Sequence, residues 1–218
     1  MKKVLYTVMF GGDCYPFTDL AQTITTVRNV DQIVETDAVM VVWGGADINP
    51  ALYGHKQSLT THCYKQRDDI EWASMKKAVE LGIPIIGVCR GAQMLCALAG
   101  GFLIQDTTDH AGRGHPVTTK DGRSFVVNSI HHQMMAGLEK TDHELLAWVD
   151  VPRSHYYTYK DDIKYHPPSG FKEPEMVYFP KVKGYAIQWH PEGMSEDCLA
   201  TQYIMEQYHA RENTPTHV

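Results

Sequence analysis

This 218-residue sequence has no strong charge of one sign, no long apolar run and no paired cysteines. Its net charge of −6 gives no general attraction to nucleic acids or anionic membrane surfaces, so we expect partners of neither kind. No apolar run approaches the roughly 20 residues that span a bilayer. With 43% hydrophobic and 21% charged residues, the composition is that of a soluble globular protein with room for one large domain.

The five cysteines do not form a recognisable framework. Their odd count and the lack of a Cys-x-x-Cys pair argue against a disulfide scaffold or a zinc ribbon. We therefore expect a reducing compartment, the cytoplasm. Four of the five are predicted to be small core or half-buried residues: Cys14, Cys63, Cys96 and Cys198.

Histidine, by contrast, is abundant, with twelve residues. His131 and His132 lie in the same part of the sequence as His110 and His115, which raises the question of a metal site. No His-x-x-x-His or Cys/His ligand spacing organises them, however. We therefore predict no metal and no cofactor.

The amino terminus resembles a secretory signal only weakly. Two lysines precede an apolar stretch at 4–10, but Gly11-Gly12-Asp13 follow without a small-x-small cleavage site. We expect instead a first core strand that ends at Gly11 and Gly12. Residues 23–27 fit a short strand, whereas 19–22 fit the start of a helix equally well.

Apolar strands alternate with helical patterns along the rest of the chain. The order predicts an α/β fold: a doubly wound, mostly parallel central sheet with helices on both faces, in one domain over 1–218. The predicted strands lie at 38–43, 83–88, 102–104, 125–127, 145–149 and 185–189, and the predicted helices at 68–81, after Cys89 and at 195–209. A frayed tail is expected from Arg211 onward.

Residues 151–180 interrupt this pattern. The segment holds five prolines and five tyrosines with little periodicity. A loop of this length in a compact domain is functional, mobile or a family-specific surface insertion. We predict an inserted loop here, with its tyrosines either packed against the domain or free to stack on a planar ligand.

A cysteine marks the junction between a predicted strand and a predicted helix. Cys89 follows the strand at 83–88, and Gly87 and Gly91 stand two residues to either side. Small residues at those places permit the tight turn called a nucleophile elbow, which lifts the nucleophile out of the sheet. The helix amino terminus beneath it favours a thiolate. Cys89 is therefore the predicted nucleophile.

The base for such a nucleophile is available much later in the sequence. His190 follows the predicted strand at 185–189, so it should reach the same edge of the sheet as Cys89. It would take the thiol proton and later give it to a leaving amine. Glu192, two residues on, would share its face on an extended backbone and orient the imidazole.

An anionic tetrahedral intermediate also requires fixed N–H donors. The amide of Arg90, directly after the nucleophile, is one candidate. The other is an amide of the Gly44-Gly45-Ala46 turn, and we select Gly45. That turn follows the strand at 38–43, so it should lie at the same sheet edge as Cys89 and His190.

These segments together resemble the class I glutamine amidotransferase superfamily and, more narrowly, the γ-glutamyl-GABA hydrolase group, also called peptidase C26. The resemblance extends from about residue 38 to residue 192. The segments that carry it are Gly87-Val88-Cys89-Arg90-Gly91-Ala92-Gln93, Gln188-Trp189-His190-Pro191-Glu192, Gly44 to Gly54, Arg67-Asp68 and Asn128-Ser129-Ile130-His131-His132-Gln133.

The resemblance implies a flavodoxin-like fold and a catalytic triad of Cys89, His190 and Glu192. It implies hydrolysis of a γ-glutamyl amide, in glutamine or a γ-glutamyl-amine, through a γ-glutamyl thioester. By position, the glutamyl group would be held by Gln93, His131 and Gln133. The part before residue 43 looks short for the group, so one strand or helix is expected to be missing there.

Several alternatives stay open at this level. The chain has no Gly-x-x-x-x-Gly-Lys-Ser/Thr phosphate loop, so it could be a glutaminase subunit that supplies ammonia to a separate synthetase. Arg90 and the segment 44–54 favour a hydrolase that works alone. A non-catalytic partner subunit and a different cysteine hydrolase, such as a peptidase, are further readings. A homodimer is compatible with the sequence.

Overall fold

The structure is a computed structural model that describes residues 1–10 and 14–212. Its strands, in chain order, are β1 (Lys2–Val8), β2 (Ala21–Val27), β3 (Ala38–Val42), β4 (Ile85–Val88), β5 (Phe102–Ile104), β6 (Asp106–Thr107), β7 (His115–Thr119), β8 (Ser124–Val127), β9 (Met134–Ala136), β10 (Glu144–Val149), β11 (Tyr157–Thr158), β12 (Lys164–Tyr165), β13 (Glu173–Phe179) and β14 (Gly184–Ile187). The α-helices are α1 (Lys65–Glu80), α2 (Arg90–Leu98) and α3 (Leu199–Glu212). None of these helices is long and apolar enough to cross a membrane.

Nine strands form the central sheet in the order β2-β1-β3-β4-β14-β13-β10-β7-β8. From β2 to β14 neighbouring strands are parallel, whereas from β14 to β8 they are antiparallel. We call these the parallel half and the antiparallel half. In the parallel half, Val42 pairs with Gly87 and Val88 with Ile187. The carboxyl ends of β3, β4 and β14 therefore lie side by side.

Hydrophobic cores cover both faces of the sheet. One core contains Met75 of α1 and Leu95 of α2, and the other contains Tyr203 and Ile204 of α3. Strand β3 is buried at every residue, as expected of a central parallel strand. The predicted α/β, flavodoxin-like fold with helices on both faces is confirmed.

Some boundaries differ from the predictions. Helix α1 begins at Lys65 and α3 at Leu199, and residues 21–27 form the edge strand β2. Between β1 and β3, the described residues contain this strand and two 3-10 helices but no α-helix. Gly11 and Gly12 lie outside the described residues, as does 213–218, whereas Arg211 still belongs to α3.

The predicted inserted loop at 151–180 is wrong at its carboxyl-terminal end. Residues 173–179 are β13, a buried strand of the central sheet between β14 and β10. The rest of the segment 151–180 is mostly loop. It contributes only the short strands β11 and β12, which form a small sheet with β6. Two glutamates and a proline in β13 concealed the strand, because such residues are rare in buried strands.

Candidate active site

Cys89 occupies the junction between β4 and α2. Its backbone has φ 49° and ψ −102°, a conformation that L-residues adopt rarely and at a cost. Its amide donates to the Ile187 carbonyl at 2.7 Å, which fixes the turn to β14. The side chain is mostly buried, at 7% exposure. The predicted nucleophile elbow is therefore present in the backbone.

The glycines around Cys89 are required by close backbone contacts. A Cβ at Gly91 would overlap the carbonyl oxygen of Val42, and a Cβ at Gly87 would overlap that of Gly91. Helix α2 thus starts directly against β3 and β4, at a distance that no larger residue allows. This packing holds the turn at Cys89 in its strained conformation.

His190 lies beside the elbow and is oriented by Glu192. Nδ1 of His190 is 2.7 Å from Oε1 of Glu192, so the imidazole donates its Nδ1 proton to that carboxylate. Nε2 is buried and makes no hydrogen bond of regular geometry within the described residues. Glu192 lies in the 3-10 helix Pro191–Gly193, so a turn rather than the expected extended backbone brings it to the ring.

The surroundings of His190 favour its charged form. Burial lowers the pKa of the imidazole, but hydrogen bonding and charge from Cys89 and from Glu192 outweigh this and raise the pKa to about 10. Cys89 and His190 follow the neighbouring ends of β4 and β14, where Val88 pairs with Ile187. Among the sequence-predicted residues, the structure therefore brings Cys89, His190 and Glu192 together.

Asn128, just after β8, holds the backbone of His190. Its Oδ1 accepts from the His190 amide at 2.8 Å, and its Nδ2 donates to the His190 carbonyl at 2.7 Å. One amide side chain therefore satisfies both backbone groups of the base. The sequence analysis noted Asn128 only as part of a matching segment, because its partner lies 62 residues away.

The predicted oxyanion turn lies against the imidazole. A Cβ at Gly44 would lie 2.6 Å from Cε1 of His190, so only glycine fits beneath the ring. Gly45 has a φ of +148°, and the Arg67 guanidinium fills the space next to it, with Nη2 donating to the Gly44 carbonyl at 2.8 Å. The turn is thus anchored next to the elbow, where the Arg90 amide begins α2.

A network of ion pairs with mostly buried side chains lies next to this turn and stabilises it. The Arg90 guanidinium forms ion pairs with Asp68 and Glu71 of α1, and Glu71 also binds Nε of Arg67 at 2.8 Å. Oδ2 of Asp68 accepts from the amide of Asn49 at 3.1 Å, which fixes the far end of the turn. Sequence reasoning gave Arg90 an amide role and missed its side chain.

Burial shifts the pKa values of Arg90 and Asp68. It lowers the pKa of Arg90 to about 10, together with the neighbouring Arg67 charge, although Asp68 opposes the shift. Burial likewise raises the pKa of Asp68. Each charge therefore depends on its partner to remain ionised in the interior.

A comparison with known families matches residues 20–148 to the peptidase C26 family, which is more than half of the chain. The chain belongs to the peptidase C26 family. The matched range includes Cys89, the oxyanion turn and Asn128, and it ends before His190. The resemblance drawn from the sequence motifs is confirmed.

Relatives and solved structures agree with this assignment. A Lactococcus lactis subsp. cremoris protein, the glutamine amidotransferase-like protein YvdE homolog, is 32% identical over 164 residues, 62% of this chain and 85% of the relative. A glutamine amidotransferase of Thermotoga maritima has a TM-score of 0.58 at 12% identity, over 97% of this chain and 84% of that one. The glutaminase domain of Trypanosoma brucei CTPS with bound acivicin has a TM-score of 0.52 at 14% identity, over 96% and 94%. The two structures show a shared fold.

The residues that family resemblance assigns to substrate are mostly buried. Gln93, one helical turn after Cys89, donates from Nε2 to the Gln133 carbonyl at 3.1 Å. The Gln133 side chain donates to Thr61 Oγ1 at 3.0 Å and to the Gln105 carbonyl at 3.1 Å. These two side-chain amides connect α2 to the neighbouring loops beside the elbow. A direct contact of either with substrate stays a prediction.

His131 is placed differently from the prediction. Its ring is buried in a cluster with His110, His115 and Glu175, with Nε2 3.7 Å from a Glu175 oxygen. These contacts do not support its predicted role in holding a glutamyl group. The neighbouring His132 has a more accessible side chain, 37% exposed. Its Nε2 lies 3.0 Å from Oδ1 of Asp47, directly after the oxyanion turn.

Proposed function

We propose that this C26 protein is a cysteine-dependent amidohydrolase that cleaves a γ-glutamyl amide bond, in glutamine or in a γ-glutamyl-amine, through a γ-glutamyl thioester. One observation carries the proposal: Cys89 stands on a strained strand-to-helix turn beside the imidazole of His190, which Glu192 orients at 2.7 Å. A nucleophile, a base and an orienting carboxylate in this arrangement support acyl transfer.

In the first half of the reaction, the Cys89 sulfur attacks the γ-carbonyl carbon. A C–S bond forms, and the carbonyl oxygen becomes an oxyanion that the amides of Gly45 and Arg90 would stabilise. When the intermediate collapses, the C–N bond breaks and protonated His190 gives its Nε2 proton to the leaving amine. The products are a free amine and a thioester on Cys89.

In the second half, water hydrolyses the thioester. Nε2 of His190 takes a proton from the water as its oxygen attacks the carbonyl carbon. The C–S bond then breaks, which restores the Cys89 thiolate and the imidazolium and releases the γ-carboxyl group of glutamate, whose proton passes to solvent. Glu192 stabilises the imidazolium whenever it forms, because its carboxylate accepts a hydrogen bond from the Nδ1–H group.

A second candidate is a glutaminase subunit that supplies ammonia to a separate synthetase. It is favoured by the fold shared with the glutaminase domain of a CTPS, over nearly the whole of both chains. Ammonia release would then be slow in the isolated protein and rise when the synthetase is added. The stand-alone hydrolase predicts fast turnover of one γ-glutamyl-amine without any partner.

The test is amide hydrolysis by the isolated protein, with L-glutamine and a panel of γ-glutamyl-amines as substrates. We expect Cys89→Ala to abolish turnover and leave folding unchanged. Cys198→Ala removes a half-buried thiol near the start of α3 and should keep full activity. Full activity in Cys89→Ala would overturn the proposal.

An electrophilic glutamine analogue separates the two candidates when no substrate turns over. Labelling of Cys89 without turnover supports the glutaminase subunit. No labelling of a folded protein argues for a non-catalytic partner subunit and against both catalytic functions.

A further inference from the structure

Four buried side chains converge at a point that the proposed mechanism does not use. They are His110, His115 at the start of β7, His131 and Glu175 in the middle of β13. Their side chains are at most 1% exposed, and one donor atom of each lies within 4.8 Å of the others. No metal is predicted here from sequence, because the histidines follow no recognised ligand spacing.

Each imidazole has one nitrogen engaged outside the cluster. Nε2 of His110 lies 2.9 Å from Glu173, and Nδ1 of His131 lies 3.0 Å from the Gln133 carbonyl. Nδ1 of His115 is 3.4 Å from the Pro116 carbonyl. When these nitrogens carry the protons, the other nitrogen of each ring presents a lone pair to the cluster. Histidines that bind metals show this arrangement almost always.

The inward-facing atoms have no hydrogen-bond partner among the described residues. They are Nδ1 of His110, Nε2 of His115, Nε2 of His131 and both carboxylate oxygens of Glu175. Leaving buried polar atoms unpaired costs about 1–3 kcal/mol each, so five at one point require an explanation. A cation bound by all four side chains would provide this explanation.

The distances suit a small divalent ion. The three inward nitrogens lie 3.4, 3.2 and 3.7 Å from Oε1 of Glu175. Ligands at about 2.0–2.1 Å from a tetrahedral Zn²⁺ are separated by roughly 3.3 Å. These three separations lie within a few tenths of an ångström of that spacing, whereas ligand atoms that stand up to 4.8 Å apart must move closer together to hold the ion.

Charge balance favours the same occupant. Glu173 and Glu175 place two carboxylates in the interior, and a divalent cation with three neutral imidazoles would neutralise both.

We propose that His110, His115, His131 and Glu175 bind one Zn²⁺ ion. Four protein ligands close the coordination sphere, so the site is structural rather than catalytic. It would fasten the segment 110–131 to β13. It also adjoins the proposed active site, because the Gln133 carbonyl that binds His131 accepts from Gln93, and the Glu175 carbonyl accepts from the Gln188 amide at 2.8 Å.

The first test is metal analysis of protein purified without a histidine tag from zinc-supplemented cells. We expect about one equivalent of Zn²⁺ per chain and a lower melting temperature after removal by a chelator. Co²⁺ added to the metal-free protein should give the intense visible bands of a tetrahedral site. Neither readout depends on catalytic activity.

Single substitutions test which residues bind the ion. Glu173→Gln keeps all four ligands but weakens the orientation of His110, and it should lower Zn²⁺ affinity by about 10–100-fold. His115→Ala should abolish binding of one equivalent. His155→Ala is the control, because this exposed histidine pairs with Asp109 outside the cluster and should leave metal content unchanged.

The proposal fails if wild-type protein holds no Zn²⁺, gives no Co²⁺ bands and melts identically with and without chelator. A folded His115→Ala protein that retains the full equivalent also overturns it. If His115→Ala does not fold, the chelator and Co²⁺ measurements on the wild type decide the question by themselves.

Discussion

The two halves of the central sheet hold their polar residues in different ways. In the parallel half, Cys89 and His190 follow β4 and β14 and stand at one edge of the sheet. In the antiparallel half, His110, His115 and Glu175 are buried. The first arrangement gathers polar and nucleophilic groups at the carboxyl ends of the strands, and the second encloses polar groups in the interior.

This difference follows from how parallel and antiparallel strands are connected. Parallel strands end at a common edge, so loops that follow β3, β4 and β14 meet there whatever their separation in sequence. Antiparallel neighbours alternate in direction and offer no common edge. Their polar residues therefore meet inside, and each burial must be compensated by a partner. The proposed reaction therefore lies at the parallel half, whereas buried and mutually compensated polar groups occur beside both halves, as the Arg90 ion pairs with Asp68 and Glu71 show.

The largest expected effect comes from breaking the elbow in the parallel half. Gly91→Ala places a Cβ on the Val42 carbonyl and should destabilise the fold by about 3 kcal/mol and abolish hydrolysis. Helix propensity alone would predict a gain of about 1 kcal/mol. Urea unfolding measures the first effect, and amide hydrolysis measures the second.

Gly54→Ala is the matched control for that variant. Its Cβ would meet no heavy atom within 4 Å, so only the positive φ of +76° is penalised, at about 1 kcal/mol. Equal losses in the two variants would mean that close packing against β3 does not hold the elbow.

The parallel half was the more predictable of the two from sequence. Cys89 with Gly87 and Gly91 forms a local pattern, and a strand that runs into a helix is visible in the apolar spacing. His190 and Glu192 were likewise identified from position at a strand end. These inferences needed only local sequence and the rule that parallel strands end together.

In the antiparallel half, the sequence predicts β8 and β10 at 125–127 and 145–149 but misses β13, for a physical reason. Glu173 and Glu175 make β13 look like a loop, because isolated carboxylates are not buried. The structure buries both: Glu173 contacts His110 and the hydroxyl of Tyr157, and Glu175 faces the histidine cluster. Their partners come from distant segments, so no local pattern reveals the strand. The Arg90 ion pairs were missed for the same reason.

The second-largest effect is expected at Glu192. Glu192→Gln keeps the shape of the side chain but removes the charge that stabilises protonated His190, and it should slow turnover on the order of 10²–10⁴-fold. The pKa of His190 is raised to about 10, partly by Glu192, so wild-type activity should fall as the pH rises through about 10. In the variant this alkaline limb should move to lower pH. A pH–rate profile measures it, and an unmoved limb would contradict the orienting role.

Asn128 connects the two halves, and its removal should have a smaller effect. Asn128→Ala deletes both hydrogen bonds to the His190 backbone and should lower kcat by about 10–100-fold, with a loss of about 1–3 kcal/mol in stability. Asn128→Asp keeps the acceptor for the His190 amide and loses the donor to the His190 carbonyl. Its kcat should therefore lie between that of the wild type and that of Asn128→Ala. A positioning role requires kcat to fall more than KM rises, with a shifted alkaline limb. A pure loss of stability with normal kinetics would exclude it.

The smallest effects should come from surface charges, where the two halves are expected to be alike. Lys65 pairs with Asp69 at 2.7 Å on α1, and Lys120 pairs with Glu144 at 2.9 Å beside β10, and all four side chains are at least one-third exposed. Alanine at either lysine should change the free energy of unfolding by no more than about 0.5 kcal/mol, because water and salt screen exposed pairs. Arg211 also binds Glu144, so that carboxylate retains a partner when Lys120 is lost. Urea unfolding at low and high salt measures both. A larger loss at Lys120 would show that the antiparallel half depends on charge at its surface as well as in its interior.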